Sequence, residues 1–197
     1  MTSNVDTNEI TKLESPIDIQ YFIHKALTAE ARRVVAVSDR LTLTGGLSGF
    51  REKLGVWISA LGYHATNEDK YMTGPLDNSM VARENEEEHA RLVERIGEVL
   101  TCLDKEIGEG EMTARSHRHL YGTVVALQVG MEDHLEEEEE FVIPLIKDRV
   151  SAEEELEIAR RLIIDDDAKN KEWIIDWMNK DLSANERKLV GALVERF

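Results

Sequence analysis

The stretch that decides the reading is Gly130-Met-Glu-Asp-His134-Leu-Glu-Glu-Glu138-Glu-Glu-Phe-Val-Ile-Pro144-Leu145. It echoes an earlier one, His64-Ala-Thr-Asn-Glu68-Asp-Lys-Tyr-Met-Thr-Gly-Pro75-Leu76. Each holds a histidine with a glutamate four residues later and a proline shortly after. On a helix, a separation of four puts both side chains on one face, one turn apart. A single histidine precedes each pair, His24 by 40 residues and His89 by 45. The chain therefore reads H…HxxxE twice, which predicts a repeated two-helix unit.

Working outward, glycine and proline punctuate helical segments. Ser15-Pro16 is a helix start, an N-cap residue followed by a proline suited to the first turn. Helical periodicity runs from there to about Leu43 and breaks at Thr44-Gly45-Gly46. Further helices are expected over Leu47–Met72, Asn78–Ile107 and Thr113–Arg149, separated by Thr73-Gly74-Pro75 and Gly108-Glu109-Gly110, with Pro144 kinking or closing the last one. No alternating strand pattern occurs. The predicted fold is all-α, an up-down-up-down four-helix bundle over residues 16–149. Residues 1–15 read as a flexible leading segment. Residues 150–197 read as an extension of short helices opened by the capping boxes Ser151–Glu154 and Ser183–Glu186. Its apolar faces and two tryptophans predict that it packs back on the bundle or forms a homodimer interface.

Counting back from the turns places the repeated residues at one level. His24 lies about 21 residues before Gly45 and His64 about 18 after Gly46, so both stand near 30 Å from that turn at about 1.5 Å per residue. His89 and His134 lie about 19 and 24 residues from theirs, within about two helical turns of each other. The expected metal ligands are thus His24, His64, Glu68, His89, His134 and Glu138, at a pseudo-twofold site. His117 and His119 fall about 22–26 Å from His134 and read as surface residues. Four imidazoles and two carboxylates suit iron. Two bridging carboxylates and an oxo or hydroxo bridge would leave two iron ions near five-coordinate, with the open positions that small-molecule chemistry requires.

These residues, with the endings before Pro75 and Pro144, resemble the hemerythrin-like family, the HHE cation-binding domain. The pattern H-HxxxE-H-HxxxE, followed by 59 residues after Glu138, resembles a bacterial subgroup with a C-terminal extension that includes mycobacterial members. The resemblance implies a non-heme diiron centre. It departs from the oxygen carriers, which have HxxxH on the third helix; here Asn85 and Val93 flank His89 at that spacing. Their fourth-helix carboxylate is an aspartate five residues after the histidine, where this chain has Glu138 at four. A symmetric centre, open on both irons, suits peroxide chemistry. The resemblance therefore implies a peroxidase-type oxidoreductase using hydrogen peroxide and a small reductant such as nitric oxide. The alternative is an oxygen- or iron-binding or sensing protein without turnover.

Secondary expectations surround the six ligands. Tyr71, three residues after Glu68, leans toward the same level and is a candidate ligand or hydrogen-bond donor, the competing reading being that Tyr71 and its counterpart Phe141 are core aromatics. Tyr21 and Tyr63 are weaker candidates. Ala60 and Gly130, one turn before His64 and His134, leave room for a ring, for a substrate pocket or for close helix packing. Glu136, Glu137, Glu139 and the run Glu86–Glu88 read as solvated faces. The only ExxH is Glu86–His89, where a ferritin-type site needs two.

Composition sets the outer limits. The 197 residues carry a net charge of −16, which repels phosphate and argues against nucleic acid. One cysteine, Cys102, makes no internal disulfide and no CxxC motif. No apolar run approaches the roughly 20 residues of a membrane span. The first 15 residues lack a signal-peptide pattern. A cytoplasmic protein acting on small molecules (peroxide, dioxygen or nitric oxide) is the expectation.

Overall fold

A computed structural model describes residues 9–76, 79–108 and 111–197. These form helices and turns, with no strand among the described residues. The four long helices are α1 (Ile19–Asp39), α2 (Ser48–Asn67), α3 (Met80–Thr101) and α4 (Ala114–Glu137). The shorter ones are α5 (Ile143–Arg149), α6 (Ala152–Ile163), α7 (Trp173–Met178) and α8 (Ala184–Val194). Helix α1 packs on α2 and α4, and α3 packs on α4. The Asn78 start expected for the third helix, Glu109-Gly110 of the following break and residues 1–8 lie outside the described residues.

Local chemistry explains the ends. Ser15 stands at the N-cap position of a short 3₁₀ turn, Pro16–Asp18, that leads into α1; its Oγ makes no hydrogen bond, and Asp18 instead accepts from the backbone N–H groups of Glu14 and Ser15. Ser79 caps α3 by accepting from the Ala82 N–H at 3.1 Å. Gly108 has a φ of 56° and turns the chain after α3, a conformation costly for a residue with a Cβ. Buried Phe22 and Leu27 on α1, Trp57 and Leu61 on α2, and Leu120 and Leu127 on α4 build the core, each worth about 1.5–3 kcal/mol of apolar burial. The Trp57 indole N–H points to Met131 Sδ at 3.3 Å, joining α2 to α4.

The sequence reading carried α2 to Met72 and ran its last helix unbroken to Arg149. In the structure both switch to wider π-helical turns, at Glu68–Thr73 and Glu138–Val142. Each turn begins on the glutamate of an HxxxE pair. Such turns insert one residue into the hydrogen-bonded ring and recur at functional sites. Pro144 follows the second turn and has no N–H to continue an α-helical ladder through it. Gly74 leaves the first turn where a Cβ would stand 3.0 Å from the Asp69 carbonyl oxygen.

The extension folds back on the long helices. Helix α6 rests on α2, on the Pro16–Asp18 turn and on the Glu68–Thr73 turn, while α7 rests on α1. Both expected capping boxes are present. Tyr63 donates its hydroxyl to the Arg161 carbonyl at 2.9 Å and meets Trp173 edge to face, so it serves this docking. Arg33 pairs with Asp181 through two hydrogen bonds of 2.5 and 2.9 Å. Buried Glu186 accepts both from Lys25 at 2.8 Å and from the Ile10 N–H at 3.2 Å. Ser183 Oγ donates to Glu9 at 2.6 Å, so residues 9–15, expected to be flexible, are tied to α8 at their start. Replacing Glu186 by alanine leaves Lys25 and two N–H groups without their acceptor. Breaking a buried ion pair costs about 3–5 kcal/mol; with Lys25 partly exposed, a loss of about 2–4 kcal/mol is expected in urea unfolding.

Candidate metal centre

The structure brings all six expected ligands into one buried cluster. His24 comes from α1, His64 from α2, His89 from α3 and His134 from α4. Glu68 and Glu138 open the π-helical turns that follow α2 and α4, and neither has any exposed surface. The imidazoles pair by repeat: His24 meets His64 edge to face at 5.2 Å between ring centres, and His89 meets His134 at 4.6 Å.

Two four-residue groups result, each able to hold a metal ion: His24, His64, Glu68 and Glu138, and Glu68, His89, His134 and Glu138. They share both carboxylates. Glu138 Oε2 stands 3.4 Å from His24 Nε2 and 3.7 Å from His64 Nε2, while its Oε1 stands 3.4 Å from His134 Nε2 and 3.7 Å from His89 Nε2. Glu68 Oε2 lies 3.3 Å from His64 Nε2 and 3.4 Å from His89 Nε2. These separations are too long for hydrogen bonds. They match ligand spacing instead: atoms about 2.1 Å from one ion, about 90–125° apart, stand about 3.0–3.7 Å from each other.

The same atoms have no other partner. All four Nε2 atoms, Glu68 Oε2 and both oxygens of Glu138 are buried without a hydrogen bond. A buried polar group left unsatisfied costs about 1–3 kcal/mol, more if charged, and here such groups converge from four helices. Imidazole with carboxylate is a donor set for divalent transition metals. The residues present fit bound metal.

Two of the outer ring nitrogens are held as well, while His64 Nδ1 is buried without a hydrogen bond. His24 Nδ1 lies 2.8 Å from Glu139 Oε1, and His89 Nδ1 lies 2.6 Å from Asp69 Oδ1. In each case the partner is the residue after the shared glutamate of the other repeat. A carboxylate facing Nδ1 makes it the protonated nitrogen and turns Nε2 to the metal. Glu139, expected on a solvated face, is thus corrected to a half-exposed partner of His24. The available signal was the pair of acids, Glu68-Asp69 and Glu138-Glu139, standing at the same place in both repeats. Asp69→Asn and Glu139→Gln should each weaken metal binding about 10-fold, in one half of the centre only. Stepwise competition with a chelator would show this as one shifted and one unshifted affinity.

Charge in the metal-free cluster follows from the same contacts. Burial opposes protonation of His24, but Glu138 and Glu139 outweigh it and raise its pKa to about 9. His89, likewise opposed by burial, is raised to about 10 by Asp69 and Glu68. His134 is lowered to about 4 by burial and by the neighbouring imidazoles, against the pull of Glu138. Burial and the nearby Glu138 raise Glu68 above the ordinary carboxylate range. Burial works against ionised Glu138 as well, yet the surrounding histidines hold it well below that range.

The remaining expectations resolve individually. Tyr71 is half-buried, its ring under Lys70 Nζ at 4.7 Å and Arg161 at 5.4 Å, in a groove shared with Asp165–Asp167. Phe141 is 53% exposed, which corrects its reading as a core aromatic. The π-helical turns account for both: the wider ring buries the residue four after each glutamate, Met72 and Val142, and turns the residue three after it outward. Tyr21 is half-buried beside Lys147. Gly130 makes room for the Arg95 guanidinium, which a Cβ would meet at 2.9 Å. His117 donates to the Ser38 carbonyl at 2.9 Å, tying α4 to the end of α1, and His119 is exposed.

A surface cavity of about 780 Å³ lined by Tyr21, His24, Lys25, Glu139 and Lys147 reaches the outer edge of the His24–Glu139 pair. No helix among the described residues is long and apolar enough to cross a membrane. No protein-family model matches this chain, and neither a curated protein nor a solved structure does.

Proposed function

We propose that the four long helices form an up-down-up-down bundle of the hemerythrin-like type, that the cluster holds two iron ions, and that the protein is a peroxidase-type oxidoreductase. The observation carrying this reading is the convergence of unpartnered Nε2 and carboxylate oxygen atoms into two groups that share Glu68 and Glu138. Two irons in such a site supply redox capacity and open coordination positions for a small oxidant such as hydrogen peroxide.

The chain's own residues supply the rest. His24, His64, His89 and His134 give two nitrogens to each half, and Glu68 and Glu138 join the halves. Glu139 and Asp69 hold the Nδ1 protons of His24 and His89, which keeps Nε2 free to ligate and raises its basicity. Glu139 also stands at the edge of the surface cavity, so a proton at His24 Nδ1 lies one hydrogen bond from solvent. Burial of both carboxylates keeps bulk water from competing with a small reactant.

A second reading, iron or oxygen sensing without turnover, is favoured by the packing of α6 on the turn that carries Glu68. A shift of that carboxylate on metal or ligand binding would reach the extension directly. Rapid mixing of iron-loaded protein with hydrogen peroxide and a reductant separates the two. Many turnovers per chain support the peroxidase; a single bleaching event, or reversible oxygen binding alone, supports the sensor.

A further inference from the structure

The repeat that matches His24 with His89 also matches the residues one turn before them, Gln20 and Asn85. Both are carboxamides and both are buried. Their partners differ. Gln20 Nε2 donates to Glu68 Oε1 and lies 3.1 Å from Met72 Sδ. Asn85 is one methylene shorter, and its Nδ2 has no partner. Glu138, the counterpart of Glu68, keeps both oxygens free of hydrogen bonds.

The two carboxylates are consequently presented in different ways. With Oε1 held by Gln20, Glu68 has only Oε2 left, and that atom faces both halves, 3.3 Å from His64 Nε2 and 3.4 Å from His89 Nε2. Glu138 gives one oxygen to each half, Oε2 toward His24 and Oε1 toward His134, both at 3.4 Å. An amide N–H held on one oxygen opposes rotation of a buried carboxylate whose other oxygen has no competing donor.

We infer that Gln20 is a positioning residue that confines Glu68 to a one-oxygen bridge between two metal ions, while Glu138 bridges through both oxygens. The site is therefore asymmetric in its carboxylates although the sequence repeat is symmetric in its ligands. Asn85 stands at the matching position of the second repeat and makes no such clamp. This rests on the two-metal reading above and assigns a role to a residue that is not itself a ligand.

Manganese(II) alone serves as the probe, because its paramagnetism reports the exchange coupling between two bridged ions without any turnover. Wild-type protein is expected to bind two Mn²⁺ per chain and to show an exchange-coupled electron paramagnetic resonance spectrum. Gln20→Met keeps the side-chain volume without the donor. Gln20→Asn keeps the amide but falls one methylene short, and serves as well if the methionine variant does not fold. Either variant should still bind two Mn²⁺, with about 10-fold lower affinity and a changed exchange splitting. Asn85→Ala should keep the wild-type splitting. Wild-type affinity and splitting in a folded Gln20 variant would overturn the inference, as would an Asn85→Ala spectrum changed in the same way. Wild-type protein with only isolated, uncoupled Mn²⁺ would instead overturn the two-metal reading, and the inference with it.

Discussion

Glu138→Ala should leave the protein folded and almost free of metal. Glu138 is the only residue that gives a separate oxygen to each half, Oε2 beside His24 and His64 and Oε1 beside His89 and His134. Its removal takes an anionic ligand from both ions at once and leaves four imidazoles to face two cations with Glu68 alone. An outer partner of a metal ligand is worth about 10–100-fold in affinity; a shared ligand should exceed the upper end, about 100-fold or more per ion. Glu136→Ala, on the exposed side of the same helix, is the matched control and should change nothing. Metal analysis after equilibration at fixed free metal, with circular dichroism to confirm helix content, makes the comparison. The metal-free variant should be less stable than metal-free wild type, because the buried imidazoles that hold Glu138 well below the ordinary carboxylate range lose their counter-charge.

The second large effect is opposite pH dependence with and without metal. In the metal-free protein the pKa values of His24 and His89 rise from 6.5 to about 9 and about 10. A base whose folded pKa lies above its unfolded value contributes stability that is full below the unfolded pKa and is lost as pH rises through the folded one. Metal-free protein should therefore lose stability between about pH 6.5 and pH 10. The shifts at His134 and Glu138 run downward and act only in acid, below that window. Metal must displace the protons on His24 and His89, so its affinity should rise with pH over the same interval. Metal saturation then adds stability according to concentration and affinity. The gap between the metal-loaded and metal-free melting temperatures should widen from pH 6.5 to pH 9. A gap that narrows over this range would mean that the two histidines are not protonated in the empty cluster.

How much of this was legible in the sequence divides along a physical line. The six candidate ligands stood out because a helix turns side-chain spacing into direction, and two HxxxE pairs with one upstream histidine each leave little freedom once four helices are packed. The capping boxes at Ser151 and Ser183 were equally readable, since a cap is made within four residues. Two of the misreadings, Tyr71 and Phe141, share one cause. An α-helical register predicts that Tyr71 and Phe141 lean toward their glutamates, but the π-helical turns at Glu68 and Glu138 shift the register by a residue, and Met72 and Val142 take the buried positions. Nothing within six residues of sequence announces such a turn. Glu139 was lost in a run of five glutamates, where composition says solvent and only the cross-repeat contact to His24 says otherwise. Gln20 carries no pattern of its own, because its meaning lies in a contact 48 positions away. The acidity now divides as well: Glu68 and Glu138 lie inside, facing imidazoles, and do not belong to the surface charge.

The central claim is that the cluster is a two-metal site, and a titration of metal-free protein with ferrous iron under anaerobic conditions tests it most directly. Uptake should saturate at two irons per chain, and exposure to air should then bring up the near-ultraviolet absorption of a bridged diferric pair, both features being absent from Glu138→Ala. Saturation at one iron, or uptake in the variant equal to that of the wild type, would contradict the account.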